Sequence, residues 1–287
     1  MDKPVVTQAM IDAYDEFTHT SFDRRAFMSR LTGLTGSAAA AAAVLTLLSA
    51  GQAAAEVVSA DDSRLVTDEV TIEGLKAYLA RPKAVSRRLP SVLVIHENRG
   101  LTPHIRDVTR KLALEGFVAL GADFLSSVGG TPANEDEART LIGKLDGTQT
   151  VANAETYLNW LSGYTKGNGK TGAMGFCWGG GLVNRIATRS KALDAGVAYY
   201  GSHAPLADVP GIQAPLMLHY ASLDERINAG IEAYRAALTS AGKRFEIHMY
   251  EGVNHAFNND TSPARYNKAA ADLAWQRTVG FFKANLA

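Results

Sequence analysis

Gly175-Phe176-Cys177-Trp178-Gly179-Gly180 contains the only cysteine of the chain. Before it stands Thr171-Gly172-Ala173-Met174, short and apolar, which predicts a buried strand; after it Leu182-Val183-Asn184-Arg185-Ile186-Ala187 predicts a helix. A reactive side chain between strand and helix, with small residues two before and two after, is a nucleophile elbow with Cys in place of Ser. The turn is sharp, so a side chain at position 175 or 179 would collide with the neighbouring strand or helix. The helix N-terminus behind the sulfur favours negative charge there. The competing reading is a small buried hydrophobe, a common fate for a free cysteine. The rest of the chain decides between the two.

Alternating elements run outward from the elbow. Residues 64–81 read as an antiparallel hairpin turning at Gly74. Ser91 to His96 is a continuous apolar run, hence a strand buried on both faces. Helix 104–116, strand 117–121 and helices 134–145 and 149–164 lead to the elbow. Strands 195–200, 215–220 and 245–250, a helix over 227–241 and a closing helix over 264–284 follow it. An opening hairpin and then alternating strands and helices predict an α/β protein with a mostly parallel central sheet and helices on both faces. Ligands of such sheets sit beyond the carboxyl ends of the strands.

Those strand ends carry Glu97-Asn98-Arg99, Asp123-Phe124, Cys177, Asp224 and Asn254-His255. Nucleophile, acid and histidine thus occur in the order of an α/β-hydrolase triad. His255 takes the thiol proton and returns it to the leaving group, while Asp224 fixes the imidazole tautomer. The backbone N–H of Trp178, and one from the 97–100 loop, are placed to bind an oxyanion. Each residue also has a plain structural reading. His255 is one of seven histidines, Asp224 could serve only as a helix cap, and Glu97 could merely pair with Arg99 or Arg106.

With these residues in place the chain, over roughly 64–287, resembles the dienelactone hydrolase family, thiol-dependent members of the α/β-hydrolase fold. The resemblance rests on Val94-Ile95-His96-Glu97-Asn98-Arg99-Gly100, the elbow, Tyr199-Tyr200-Gly201, Asp224, Tyr250 to Phe257, and Ala274 to Phe282. It implies a Cys177–Asp224–His255 triad, with Glu97 holding the resting thiol neutral until substrate displaces it. It also implies oxyanion donors at the amides of Asn98 and Trp178. Family enzymes that act on a diene-lactone carboxylate carry an arginine shortly after the histidine. Here Phe257-Asn258-Asn259-Asp260 follows, with no arginine until Arg265, and Asp260 would repel an anion if it faced the pocket. Arg99 and Arg265 are the candidate replacements, and Phe124 and Tyr200 are further candidates for the substrate pocket.

The chain has 287 residues, 46% hydrophobic and 20% charged, with 29 basic and 29 acidic side chains. Zero net charge offers no attraction for nucleic acid or an anionic membrane surface. A single cysteine excludes an internal disulfide and a cysteine-cluster metal site. His96, Glu97 and His104 match no zinc spacing, so neither metal nor cofactor is expected.

The first 55 residues read differently. Ile11, Tyr14 and Phe17 recur at helical spacing, which suits a short amphipathic helix. Asp23-Arg24-Arg25-Ala26-Phe27-Met28 follows, then a stretch uncharged from Leu31 to Ala55 and ending in Ala53-Ala54-Ala55. The segment resembles a twin-arginine export signal, with Met28 where Leu is usual. The expectation is a signal over 1–55 read by export machinery, a hydrolase domain over 56–287 and a periplasmic location. An uncleaved membrane anchor and a helix of the folded domain are the alternatives. In function, the leading expectation is a cofactor-free hydrolase of small esters or lactones. A thiol acyltransferase or peptidase, or a binding protein on the same scaffold, are the others.

Overall fold

A computed structural model describes residues 5–20, 22–49 and 57–287. Its centre is one eight-stranded sheet: β1 (Leu65–Ile72), β2 (Leu75–Pro82), β3 (Leu89–Ile95), β4 (Val118–Ala122), β5 (Gly167–Phe176), β6 (Ala195–Tyr199), β7 (Leu216–Ala221) and β8 (Phe245–Tyr250). The spatial order is β1-β2-β4-β3-β5-β6-β7-β8. The β1–β2 hairpin joins antiparallel to β4, and every pairing from β4 to β8 is parallel. This is the α/β-hydrolase architecture expected from the sequence. β3 shows why its run of apolar residues is uninterrupted. Val92 and Val94 pack into one core, Leu93 and Ile95 into the other, so successive side chains meet helices on opposite faces.

Three helices numbered by chain position lie N-terminal to the sheet: α1 (Gln8–His19), α2 (Arg24–Thr35) and α3 (Ala38–Leu48). On one face of the sheet pack α4 (Pro103–Leu114) and α10 (Lys268–Asn285); on the other, α6 (Gly147–Ser162), α7 (Trp178–Ala187) and α9 (Ile231–Ser240). Two shorter helices, α5 (Glu135–Ile142) and α8 (Glu225–Asn228), flank the carboxyl ends of the strands.

Two expected elements are corrected. The helix predicted over 227–241 is broken into α8 and α9 around Ala229-Gly230, and glycine fits at the break because a Cβ at position 230 would lie 2.6 Å from the His203 ring. The closing helix starts at Lys268 rather than 264, capped by the Asn267 side chain on Ala270 N–H at 3.0 Å. Residues 262–266 instead form turns that place Ser262 and Arg265.

The amphipathic reading of Ile11, Tyr14 and Phe17 holds: all three are buried faces of α1. The N-terminal helices have their own core, in which Phe17 stacks on Phe27 at 4.4 Å beside Tyr14, Leu31, Val44 and Leu48. α2 and α3 meet at 108°, and among the described residues no single helix is long and apolar enough to cross a membrane. The Ala53-Ala54-Ala55 site and the boundary at residue 55 lie outside the described residues.

Candidate active site

β5 delivers Cys177 into the first turn of α7 at φ 54° and ψ −113°, a region that costs a non-glycine residue about 1–3 kcal/mol. The strain persists because the neighbours leave no alternative. A Cβ on Gly175 would fall 2.2 Å from the Gly179 carbonyl oxygen, and one on Gly179 would fall 2.5 Å from that of His96. Backbone is being excluded from backbone, so neither position tolerates alanine. The Cys177 N–H is fixed on Tyr199 O at 2.9 Å, and the thiol is 7% exposed.

Asp224 ends the turn after β7 and serves both roles considered for it. Oδ1 caps α8 by accepting from Ile227 N–H at 3.3 Å, and Oδ2 accepts from His255 Nδ1 at 2.5 Å. That bond leaves His255 Nε2, buried and without a well-formed partner, as the nitrogen available to the reaction. Burial opposes the imidazolium, but the Asp224 carboxylate and the Cys177 sulfur outweigh it, and His255 is raised well above its ordinary value. Burial likewise opposes the Asp224 carboxylate, yet His255 beside it holds the acid below the usual range.

The amides of Trp178 and Asn98 have no backbone acceptor among the described residues. Trp178 is held flat by stacking on His96 at 5.3 Å and 11°, with Phe124 edge-on at 5.6 Å. His96 donates from Nδ1 to Glu97 O at 2.6 Å and accepts Phe124 N–H on Nε2 at 3.2 Å. Both its nitrogens are therefore engaged in bracing the loop. Phe124 is buried behind Trp178 and is not among the residues that wall the groove or the small cavity at the thiol. Glu97 lines a small cavity with Cys177. Its Oε2 accepts from Asn259 Nδ2 at 2.8 Å, and its Oε1 is buried without a partner. Tyr200 lies against the triad, its ring 4.9 Å from that of His255. Asp260 turns away, to His104 at 3.0 Å and Lys111 at 3.1 Å, so it presents no charge to the pocket.

The sequence missed His19. The last residue of α1 sets its Nε2 3.1 Å from Cys177 Sγ and its ring 4.5 Å from that of His255. Its Nδ1 lies 2.8 Å from Asp15 O, which can only accept, so Nδ1 carries the hydrogen and the bare Nε2 lone pair faces the sulfur. Burial first, then His255 and Arg226, push His19 well below its ordinary value and keep it neutral. The expected substrate arginines also engage α1. Arg99 donates to Tyr14 Oη, and Arg265 lies 4.9 Å over the Tyr14 ring and 3.3 Å from Asp15. Asn98 Nδ2 donates to Thr18 O at 2.9 Å. One histidine near residue 20 carries no signal that a single sequence could reveal.

Between α1 and the triad remains a cavity of about 10 Å³, barely a water. On the other side of the thiol opens a groove of about 540 Å³, walled by His19, Trp178, Tyr200, Arg139, Lys144 and Arg226. None of its described lining residues is acidic.

A parallel sheet with a Cys–His–Asp triad at its strand ends and free amides beside the thiol defines a cysteine hydrolase of the α/β-hydrolase class. The dienelactone hydrolase family profile matches residues 75–286, and the chain belongs to that family. A protein of Escherichia coli (strain K12) named "Putative carboxymethylenebutenolidase" is 32% identical over 82% of this chain and 93% of its own length. The crystal structure of a "Putative Dienelactone Hydrolase" from Klebsiella pneumoniae is 29% identical, with a TM-score of 0.71 over 76% of this chain and 98% of that one. Brefeldin A esterase, a bacterial homologue of human hormone-sensitive lipase, is 14% identical. It shares the fold at a TM-score of 0.64 over 98% of this chain and 94% of its own. The chain is thus a carboxylic ester or lactone hydrolase.

Proposed function

We propose that the substrates are small esters or lactones bearing an anionic group, which enter through the groove and are cleaved on Cys177. The observation that carries this reading is the groove itself: it ends at the thiol and its charged walls, Arg139, Lys144 and Arg226, are all basic. Sγ attacks the acyl carbon, forming the C–S bond, while the carbonyl oxygen takes the negative charge against the amides of Trp178 and Asn98. On collapse the acyl C–O bond breaks, and His255 Nε2–H protonates the leaving oxygen, which stays tethered in a lactone. Water, deprotonated by His255, then attacks the thioester and releases the acid with the thiol regenerated. Glu97 acts beside the resting thiol as a negative neighbour, so Glu97→Gln should speed iodoacetamide alkylation of the free enzyme.

The test compares p-nitrophenyl acetate with p-nitrophenyl hemisuccinate. Iodoacetamide and Cys177→Ala should each abolish turnover of both esters. Arg226→Ala should lower kcat/KM about tenfold for the hemisuccinate and little for the acetate, in line with the loss of one charge-assisted contact of about 1.5–3 kcal/mol, partly screened at this exposed position. Equal losses on both esters would refute the anionic assignment. Turnover that survives Cys177→Ala would refute the thiol mechanism.

We further propose export by a twin-arginine route. The support is Arg24-Arg25-Ala26-Phe27-Met28 and the uncharged stretch after it. In the folded chain Arg24 pairs with Asp136, so recognition requires α2 to lift away. Fractionation and N-terminal sequencing test the proposal. A periplasmic form beginning near residue 56 supports it, and an intact chain in the cytoplasm refutes it.

A further inference from the structure

We infer that His19, Cys177 and His255 form a binding site for a thiophilic divalent cation such as Zn2+, made by the docking of α1 onto the triad. One ligand atom from each residue lies within 4.8 Å of the others, and Cys177 Sγ and His19 Nε2 are 3.1 Å apart. Tetrahedral zinc with one thiolate and two imidazoles needs ligand separations of about 3.3–3.6 Å, so His19 Nε2 backs off the sulfur by a few tenths of an ångström while the pairs involving His255, which lie within 4.8 Å, close to that range.

Both imidazoles are already oriented as ligands. His255 Nδ1 is held by the Asp224 carboxylate at 2.5 Å and His19 Nδ1 by the Asp15 carbonyl at 2.8 Å. A carboxylate or carbonyl behind each ring is the outer-shell pattern that fixes the tautomer of metal-binding histidines. The independent observation is His255 Nε2: it is buried, has no well-formed partner, and sits on the ring's only free edge beside the sulfur. One thiolate with two imidazoles suits zinc over the hard cations, and three protein ligands leave a fourth position for water. Arg226 and Arg265 lie near enough to His19 to oppose a cation, while the thiolate, Asp15 and Asp224 favour it.

Binding forms one metal–sulfur and two metal–nitrogen bonds. One proton, resident on Cys177 Sγ or on His255 Nε2, goes to solvent, and both Nδ1 hydrogens stay in place. The ion would occupy nucleophile and base together and tie α1 to the body, so the cation would act as a reversible lock. The site belongs to the chain that retains α1, so removal of residues 1–55 on export would abolish it; it does not depend on the hydrolytic reading, because it needs only the three side chains.

The experiment titrates the reduced, chelator-treated full chain with Co2+, followed by Zn2+ competition. One equivalent should bring up a near-ultraviolet thiolate-to-cobalt charge-transfer band and the visible bands of a tetrahedral site, and Zn2+ should erase both. Cys177→Ser should lose the near-ultraviolet band. His19→Ala, checked for folding by circular dichroism, should weaken Zn2+ at least tenfold. X-ray absorption on the unsubstituted zinc form should count one sulfur and two imidazoles, whether or not the variant folds. Absence of the band, a single imidazole, or Zn2+ affinity unchanged in folded His19→Ala would overturn the site. Loss of ester turnover alone would leave these spectra unaltered and would bear only on the hydrolase reading.

Discussion

Asp224 divides its two oxygens between a helix cap and an imidazole, and the two duties have separable consequences. Asp224→Asn keeps an oxygen for Ile227 N–H but removes the charge that supports the His255 imidazolium and fixes its tautomer. The expected outcome is a fall in kcat of about 10²–10⁴ with a melting temperature close to that of the parent, measured on p-nitrophenyl acetate and by thermal denaturation. A matched loss of fold would show that the cap dominates. The triad was legible in the sequence because each member terminates a strand, and strand ends can be read from apolar runs. His19 was not legible: its contact with Cys177 spans 158 positions and arises from how α1 docks, which no local pattern encodes. Phe124 shows the limit of the strand-end signal. A strand-end position places a residue near the site but does not say whether it faces substrate or, as here, the back of Trp178.

Phe17 ties α1 to α2 through an aromatic contact and to the body through Arg139. Its ring stacks on Phe27, Arg139 lies 4.0 Å over it, and its carbonyl oxygen accepts from Arg139. Truncating a buried phenylalanine costs about 3–5 kcal/mol, which here falls on the three-helix unit rather than on the sheet. Phe17→Ala should therefore speed iodoacetamide modification of Cys177 several-fold and expose 20–55 to limited proteolysis, while far-ultraviolet circular dichroism of the body persists. Unchanged thiol reactivity would mean that α1 does not restrict access. On the opposite side of the sheet's carboxyl edge, Asp260 links the 256–267 turns to α4. Burial opposes its charge, but His104 and Lys111 prevail and hold it down at about 2. A depressed carboxyl stabilises the fold above its unfolded value, and the contribution fades as pH falls through the folded one. Asp260→Asn should lower Tm at pH 6, and the gap from the parent should close on titrating toward pH 2; a gap independent of pH would assign the loss to packing. The element pattern was legible wherever burial is two-sided, as in β3. It failed at Ala229-Gly230, where a sequence that otherwise reads as one helix breaks at a glycine packed against the His203 ring.

At the scale of the whole molecule the chain has two kinds of stability. The sheet is buried between two extended cores, whereas the N-terminal helices keep a small core of their own, against which Ala264 is the one described body hydrophobe to pack. What joins cap to body is chiefly polar: Arg24–Asp136, Arg99–Tyr14, Arg265–Asp15, Asn98–Thr18 and Ser262–Leu48. Such contacts contribute about 0.5–1.5 kcal/mol each net of water, and the exposed pair contributes less. A unit joined in this way opens at a lower free energy than global unfolding. Native-state hydrogen exchange should therefore find the amides of α1–α3 exchanging at least about a hundredfold faster than those of β3, β5 and β6, with the gap widening as salt screens the exposed pairs. Because His19 is carried on this unit, the same opening frees Cys177 and widens the groove, and the exchange rate of α1 sets an upper limit on how often bulky substrates can reach the thiol. Protection of α1 equal to that of β5, at low and high salt alike, would instead make the helices part of the global folding unit and leave the groove beside Arg226 as the sole way in.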